Sequence, residues 1–360
     1  MRRGEDQLNR YGRLFQEACC TGYAKQEIIR LRYLAQHQEQ LRVDKYKCLE
    51  DAVDARDHEG GGPVRAGRPA TILPSSFTGG PRDMHGRYQD AMAIVRETTR
   101  PSWFITATCN PRWRAIQHEL KDGQQAQDRP DVIARVFNAM VQELIKDLTK
   151  NEILGYPVEA YMYCIEFQKG RCLPHVHILL IVAAANRVHT PEQIDDIVSA
   201  ELPPKPKRTD FNSEVDYNFA LEEYQFMSGL VCDYMTHNMC GRGRELITMC
   251  MKDGVCSKRF PKEFRETTEY SEDNTLYPLY RRRTPDNSYI HPYLHNNRLV
   301  DNKWIVPYSP YLLRKYQCHI NVEACASVLA IKYAYKYIYK GPDRSMVAIR
   351  GNFLCILHIV

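Results

Sequence analysis

The run Leu173-Pro174-His175-Val176-His177-Ile178-Leu179-Leu180-Ile181-Val182 decides how this chain is read. A short, bulky apolar run opened by proline reads as a buried strand, and a strand turns alternate side chains to one face. His175 and His177 therefore project together, either as a two-toothed clamp for a metal ion or as a packed pair. Upstream, Val158 to Gln168 has the same strand character and ends in Glu166-Phe167-Gln168. The intervening Lys169-Gly170-Arg171-Cys172-Leu173-Pro174 is short and turn-rich, so the two runs are predicted to pair as an antiparallel hairpin. That pairing brings Glu166, or alternatively Gln168, to the histidines. One carboxylate and two neutral imidazoles with open positions suit Mg²⁺ or Mn²⁺ when a substrate phosphate completes the sphere, and the same set also accepts zinc.

A second constellation lies toward the carboxyl end, in Ile331-Lys332-Tyr333-Ala334-Tyr335-Lys336-Tyr337-Ile338-Tyr339-Lys340, stopped by Gly341-Pro342. Helical spacing puts Tyr333 and Tyr337 on one face with Lys340 a turn further, while Tyr335 and Tyr339 share a neighbouring face. Such tyrosines serve equally as amphipathic core and rim. A phenol becomes a useful nucleophile when a metal polarises the phosphate it attacks and a basic group eases loss of its proton, and this chain offers both.

A third cluster comprises His237, Cys240, Cys250 and Cys256. Three thiols and an imidazole make a tetrahedral donor set for a structural Zn²⁺, with ordinary buried thiols as the alternative and Cys232 as a substitute ligand.

Outward from these sites, the segment from about Gln7 to Val53 reads as helices, with Leu14, Phe15 and Ala18 on one face, then Ile28, Leu31 and Leu34, and Gly22 as a break. A glycine-rich link follows at Gly60-Gly61-Gly62-Pro63. A strand is predicted at Trp103 to Thr108 and a helix from Pro130 to Thr149. The stretch from Pro203 to Asn302 reads as irregular and polar. The resulting organisation is an amino-terminal helical segment (1–56), a linker leading into the core (57–100), a core with the metal-binding hairpin (101–200), an irregular insertion with the cysteine cluster (201–302), and a nucleophile helix closing the core (303–360). Built on the antiparallel hairpin, these elements suit an α+β fold, an antiparallel central sheet with helices on one face.

The chain resembles the HUH endonucleases, in which a His-hydrophobic-His strand is followed by a Tyr-x-x-x-Tyr-x-x-Lys helix. More closely it is similar to the replication-initiator region of Helitron transposases, the Helitron helicase-like domain. The similarity runs in order through Arg13-Leu14-Phe15-Gln16, Leu73-Pro74-Ser75-Ser76-Phe77, Tyr88-Gln89-Asp90-Ala91-Met92-Ala93-Ile94 and Phe104-Ile105-Thr106-Ala107-Thr108-Cys109-Asn110-Pro111-Arg112-Trp113. It continues through Asp128-Arg129-Pro130-Asp131, Glu166-Phe167-Gln168-Lys169, the histidine clamp, Cys256-Ser257-Lys258-Arg259-Phe260-Pro261-Lys262, His319-Ile320-Asn321-Val322-Glu323 and the tyrosine run.

That resemblance implies an HUH nuclease-like fold, with His175, His177 and Glu166 as metal ligands, and Tyr333 and Tyr337 as nucleophiles forming 5′-phosphotyrosine links, with Lys340 beside them. It implies a metal-dependent single-strand DNA endonuclease and strand transferase of a rolling-circle transposon, acting on transposon ends and target in the nucleus. The link at Lys169-Gly170-Arg171-Cys172 carries one residue more than the family's usual spacing, so the face taken by Glu166 depends on a bulge, for which Gly170 is suited. Family members carry a helicase after this region. No Gly-x-x-x-x-Gly-Lys-Ser/Thr loop occurs here, so no ATPase activity is expected and a helicase would act in trans. The rival reading is a truncated, catalytically idle remnant that only binds single-stranded DNA or a partner transposase. A histidine-triad nucleotide hydrolase is disfavoured, because Leu179 stands where that motif needs a third histidine.

Composition narrows the rest. A net charge of +5 over 360 residues is too modest for a dedicated DNA-binding module, so DNA contact must come from local placement. Tyr277-Pro278-Leu279-Tyr280-Arg281-Arg282-Arg283 and the surroundings of Trp304 are candidates for stacking bases and pairing phosphates. The thirteen cysteines follow no secretory spacing and the amino terminus lacks an apolar signal region, which favours a reduced intracellular compartment. Lys205-Pro206-Lys207-Arg208 and Arg281-Arg282-Arg283 are short basic runs of the kind found in nuclear targeting.

Overall fold

The computed structural model describes residues 13–38, 73–98, 101–167, 173–187, 190–237, 240, 250–270, 277–285, 293–295, 298–325 and 345–349. Its elements in chain order are α1 (Arg13–Gln36), α2 (Pro81–Glu97), β1 (Trp103–Thr108), α3 (Arg114–Gln117), α4 (Pro130–Thr149), β2 (Val158–Phe167), β3 (Pro174–Val182) and α5 (Pro191–Asp195). There follow α6 (Glu214–Tyr234), β4 (Met251–Lys252), β5 (Val255–Cys256), β6 (Tyr293–His295), β7 (Arg298–Val300), α7 (Pro310–Tyr316), β8 (Ile320–Ala324) and β9 (Ser345–Ile349).

The protein is α+β. The strands β8-β1-β3-β2 form a continuous antiparallel sheet, and β9 adds a fifth at the β2 edge. Because side chains alternate along each strand, the sheet sorts its residues onto two faces. One face presents Trp103, Ile105, Val176, Ile178, Leu180, Ile320 and Val322, which pack on Ile133, Phe137, Val141, Leu144 and Leu148 of α4 and on Leu312 and Leu313 of α7. Spacings of three and four place those α4 residues along one stripe of the helix. The other face buries Phe104, Ala160, Met162, Cys164, Leu179 and Ile181 under Met92 and Ile94 of α2. Helices thus cover both faces, not one as the sequence suggested, because the second face is also apolar and has to be buried.

A β-bulge between Val158 and Ala160 shifts the register of β2. Its effect is visible in the packing: Val158 joins the α4 face although Ala160, of the same parity, joins the other. Below the bulge, pairing runs without interruption to Phe167↔Pro174. The irregularity therefore sits here, while Gly170 lies outside the described residues.

Three other sequence readings change. The first helix passes through Gly22 unbroken, a single glycine being tolerated within a helix at modest cost. The lead-in segment holds the 17-residue α2, started by Pro81. The stretch read as irregular from Pro203 contains the 21-residue α6, capped by the Ser213 hydroxyl accepting from Asp216 N–H. Val231 and Cys232 of α6, with Tyr280, Val300 and Ile305, belong to the same apolar cluster as the sheet. The part of the helical reading beyond residue 38 lies outside the described residues.

The arginine run near Tyr280 is structural. Arg282 is 4% exposed and its Nη1 donates to the carbonyls of Ala200, Asn302 and Ile305. Arg283 pairs with both carboxylate oxygens of the buried Glu201, and Arg281 with Asp195 and Glu201. Tyr280 is buried as well. Tyr280 and Arg282 are consumed in tying segments together and are withdrawn from stacking bases or pairing phosphates, while Arg281 and Arg283 remain about a third exposed.

Two predictions follow from this packing. Ile178→Ala, at a position with no solvent exposure, is expected to lower unfolding free energy by about 2–5 kcal/mol in urea titration. Ile29→Ala, 59% exposed on α1, should change it by no more than about 0.5 kcal/mol. The second concerns Asp147, which accepts from Lys315 Nζ at 2.6 Å, Tyr316 hydroxyl at 2.7 Å and Asn151 at 2.9 Å. Burial alone would raise this carboxyl, but those donors and the Lys315 charge outweigh it and hold it below the ordinary range. Its stabilisation is therefore full above the unfolded value of about 3.9 and lost as pH falls from there through the lower folded value. Asp147→Asn should flatten that part of the acid-stability curve in thermal melts.

Candidate metal centres

The uninterrupted β2–β3 ladder sets Glu166 directly opposite His175, and Cys164 opposite His177. All three candidate ligands consequently emerge on the α2 face, at the end of the sheet where β2 and β3 approach their link. Glu166 Oε2 lies 3.2 Å from His175 Nε2 and 3.8 Å from His177 Nε2. One donor atom from each residue falls within 4.8 Å of the others. Side-chain exposures of 14% for Glu166 and His175 and 9% for His177 leave the group desolvated but reachable.

Neighbouring strands orient the rings. Thr106 pairs with His177 across β1–β3, and its Oγ1 is 2.9 Å from His177 Nδ1. When Nδ1–H donates to that hydroxyl, Nε2 presents its lone pair on the Glu166 side. Phe104 lies parallel to the His177 ring at 5.6 Å, and Tyr277 stacks in turn on Phe104 at 6.5 Å. The two imidazoles meet edge to face at 4.8 Å. Burial, with a smaller contribution from His177, pushes the His175 pKa down against the pull of Glu166. The ring is thereby kept neutral at neutral pH, which is the form that ligates.

Donor chemistry fits a hard or borderline divalent ion: a carboxylate oxygen and two imidazoles are the ligand types that Mg²⁺, Mn²⁺ and Zn²⁺ accept, and three protein donors leave further positions open. Thr106 had no ligand-orienting role in the sequence, where it stands 71 residues from His177. Only the strand pairing reveals it. His319 stands just before the start of β8. Its Nδ1 donates to Tyr234 O at 2.7 Å, and its charge is felt at His175.

The second cluster also assembles. His237, Cys240, Cys250 and Cys256 each place a donor atom within 4.8 Å of the others. Cys240 Sγ and Cys256 Sγ stand 3.6 Å and 3.5 Å from His237 Nε2. Cys232 is not in the cluster: it sits in the apolar core with the sheet. The remaining predicted site residues, Gln168, Tyr333, Tyr337 and Lys340, lie outside the described residues.

Fold and site together define an α+β protein with an antiparallel sheet and a carboxylate–imidazole set suited to a divalent ion. The family model for the Helitron helicase-like domain at the N-terminus matches residues 1–180, and the chain belongs to that family. Its function is accordingly related to Helitron transposons. The matched region takes in Glu166, His175 and His177, whereas the cysteine cluster and the tyrosine run lie past it. No curated protein matches the chain. Among the described residues, no helix is long and apolar enough to cross a membrane.

Glu166→Gln and His175→Ala are each expected to abolish measurable Mn²⁺ binding in calorimetry. Thr106→Val, which keeps the strand and removes only the hydroxyl, should weaken it by about 10–100-fold. Unchanged affinity in the Thr106 variant would show that the hydroxyl does not orient the ligand.

Proposed function

We propose that this protein is a metal-dependent single-strand DNA endonuclease and strand transferase of a Helitron-type rolling-circle transposon, with an HUH nuclease fold. The observation that carries this reading is the convergence of Glu166 on both His175 and His177, at 3.2 Å and 3.8 Å, in a chain of the Helitron helicase-like family. A Mg²⁺ or Mn²⁺ ion held by these three residues would polarise a scissile phosphate and offset the charge that builds during in-line displacement.

The chain's own groups do the rest. Thr106 and Phe104 hold the His177 ring, and Glu166 keeps its carboxylate between the imidazoles. The phenolate oxygen of Tyr333 or Tyr337 attacks phosphorus after Lys340 eases loss of the phenol proton. The bond from phosphorus to the 3′ oxygen breaks, that oxygen takes up a proton to leave as a 3′-hydroxyl, and the 5′-phosphate stays on tyrosine. The phosphotyrosine link conserves the energy of the broken bond, so rejoining needs no nucleotide hydrolysis. Two tyrosines let one DNA end remain held while another is cut.

Topology is consistent with this assignment. The chain leaves the sheet at Ala324, on the outer strand beside β1, and returns at Ser345 on the opposite edge. Ser345 pairs with Cys164, which pairs with His177, so the return point lies in the row of the clamp. The segment joining these points contains both tyrosines. The partners in this reading are single-stranded transposon ends and target, and the place of action is the nucleus, with Lys205, Lys207 and Arg208 exposed.

The test is incubation of the purified chain with labelled single-stranded oligonucleotides and Mn²⁺ or Mg²⁺, followed by a denaturing gel. A covalent protein–DNA adduct is expected, lost in His175→Ala and in the Tyr333→Phe, Tyr337→Phe double variant. An adduct that survives the double variant would overturn the nucleophile assignment. A folded protein that binds the oligonucleotides and never forms an adduct with either ion would instead be a binding remnant.

A further inference from the structure

We infer that His237, Cys240, Cys250 and Cys256 form a second metal centre that holds a structural Zn²⁺, chemically distinct from the carboxylate–histidine site. Four donors within 4.8 Å of one another, three sulfurs and one imidazole nitrogen, complete a tetrahedral set and leave no position for substrate. Soft thiolates select zinc over the hard ions that suit Glu166 and its histidines.

Local structure brings these residues together for reasons that packing does not require. Cys256 lies on β5, joined to β4 through Asp253 and Gly254, whose φ values of 50° and 77° belong to a tight hairpin turn. That two-residue turn folds the chain back, so that Ser257 N–H donates to Cys250 O at 2.7 Å. Backbone N–H groups of Lys258 and Phe260 donate to the Cys256 sulfur. On the other side, His237 N–H donates to Trp304 O at 2.8 Å, fixing the backbone just past the end of α6. The His237 ring is sandwiched against Phe260 at 4.3 Å, with Lys262 Nζ 5.0 Å from the Phe260 ring. Three thiolates around Zn²⁺ carry one net negative charge, and Lys258 and Lys262 are close enough to act electrostatically on His237.

The centre has a structural purpose at its position. It ties the end of α6 to the β4–β5 hairpin across residues 241–249. Three residues before His237, Tyr234 accepts Asn110 Nδ2 on its hydroxyl at 3.0 Å and His319 Nδ1 on its carbonyl at 2.7 Å. The knot therefore braces the loop after β1 and the start of β8, beside the ion site.

Zinc content of the freshly purified full chain, by elemental analysis, should be near one equivalent. It should persist in His175→Ala, His177→Ala protein, and fall to background in Cys240→Ser, Cys256→Ser protein. Should the cysteine variant fail to fold, Co²⁺ added to metal-stripped wild-type chain decides the matter: thiolate-to-cobalt charge-transfer absorption and tetrahedral d–d bands are expected. Background zinc together with no cobalt–thiolate absorption would overturn the inference. So would zinc that disappears with the two clamp histidines and is unaffected by the cysteines. Neither readout involves DNA cleavage, so failure of the nuclease reading leaves this result intact.

Discussion

Everything at the candidate active site depends on one register, Glu166 opposite His175. In an antiparallel pair, residues directly opposite share a face, and a slip of one residue moves a whole strand's side chains to the other. A slip here would turn Glu166 away from both imidazoles and move Met162 and Cys164 off the face that buries them. Apolar alternation along β2 and β3 therefore enforces the ligand geometry. Met162 and Cys164 can be buried under α2 only if Glu166 also faces that way.

The bulge at Val158–Ala160 is part of the same constraint. It lets β2 begin on one parity and continue on the other, so that Val158 serves the α4 core while Ala160, Met162, Cys164 and Glu166 serve the clamp face. Placing the irregularity at the far end of the strand keeps the ligand end regular. Both histidines, Glu166 and Thr106 then stand on consecutive strands within two rows of the sheet.

Much of this was legible in the sequence because the signals are periodic and local. The boundaries Trp103–Thr108 and Pro130–Thr149 coincide with the predicted strand and helix, since each combines a strong apolar pattern with a clear stop or a proline start. The hairpin that sets Glu166 opposite His175 was visible for the same reason. What escaped notice depends on long-range contact. Thr106 gains its role through a partner 71 residues away. The helix α6 was hidden because Val215, Phe219 and Phe226 are exposed apolar residues that blur its stripe. The run Arg281-Arg282-Arg283 looked like surface charge, yet its partners Glu201 and Asp195 and the carbonyls of Ala200, Asn302 and Ile305 come from other segments. Short-range pattern cannot distinguish a solvated arginine from one that is paired across the fold.

Two metal-binding groups in one chain raise the question of how each would avoid the other's ion. Donor softness and donor number answer it together. Glu166, His175 and His177 supply one hard oxygen and two borderline nitrogens, and three protein ligands leave positions that water or phosphate can fill. The cysteine set supplies four donors, three of them soft, and closes its own shell. A closed shell cannot bind substrate, so its ion can only hold the chain together. The open set lies at the end of the β2–β3 pair, with side-chain exposures of 14% for Glu166 and His175 and 9% for His177. Among the described residues the clamp has three protein donors, and the positions they leave on an ion are the ones its chemistry would use.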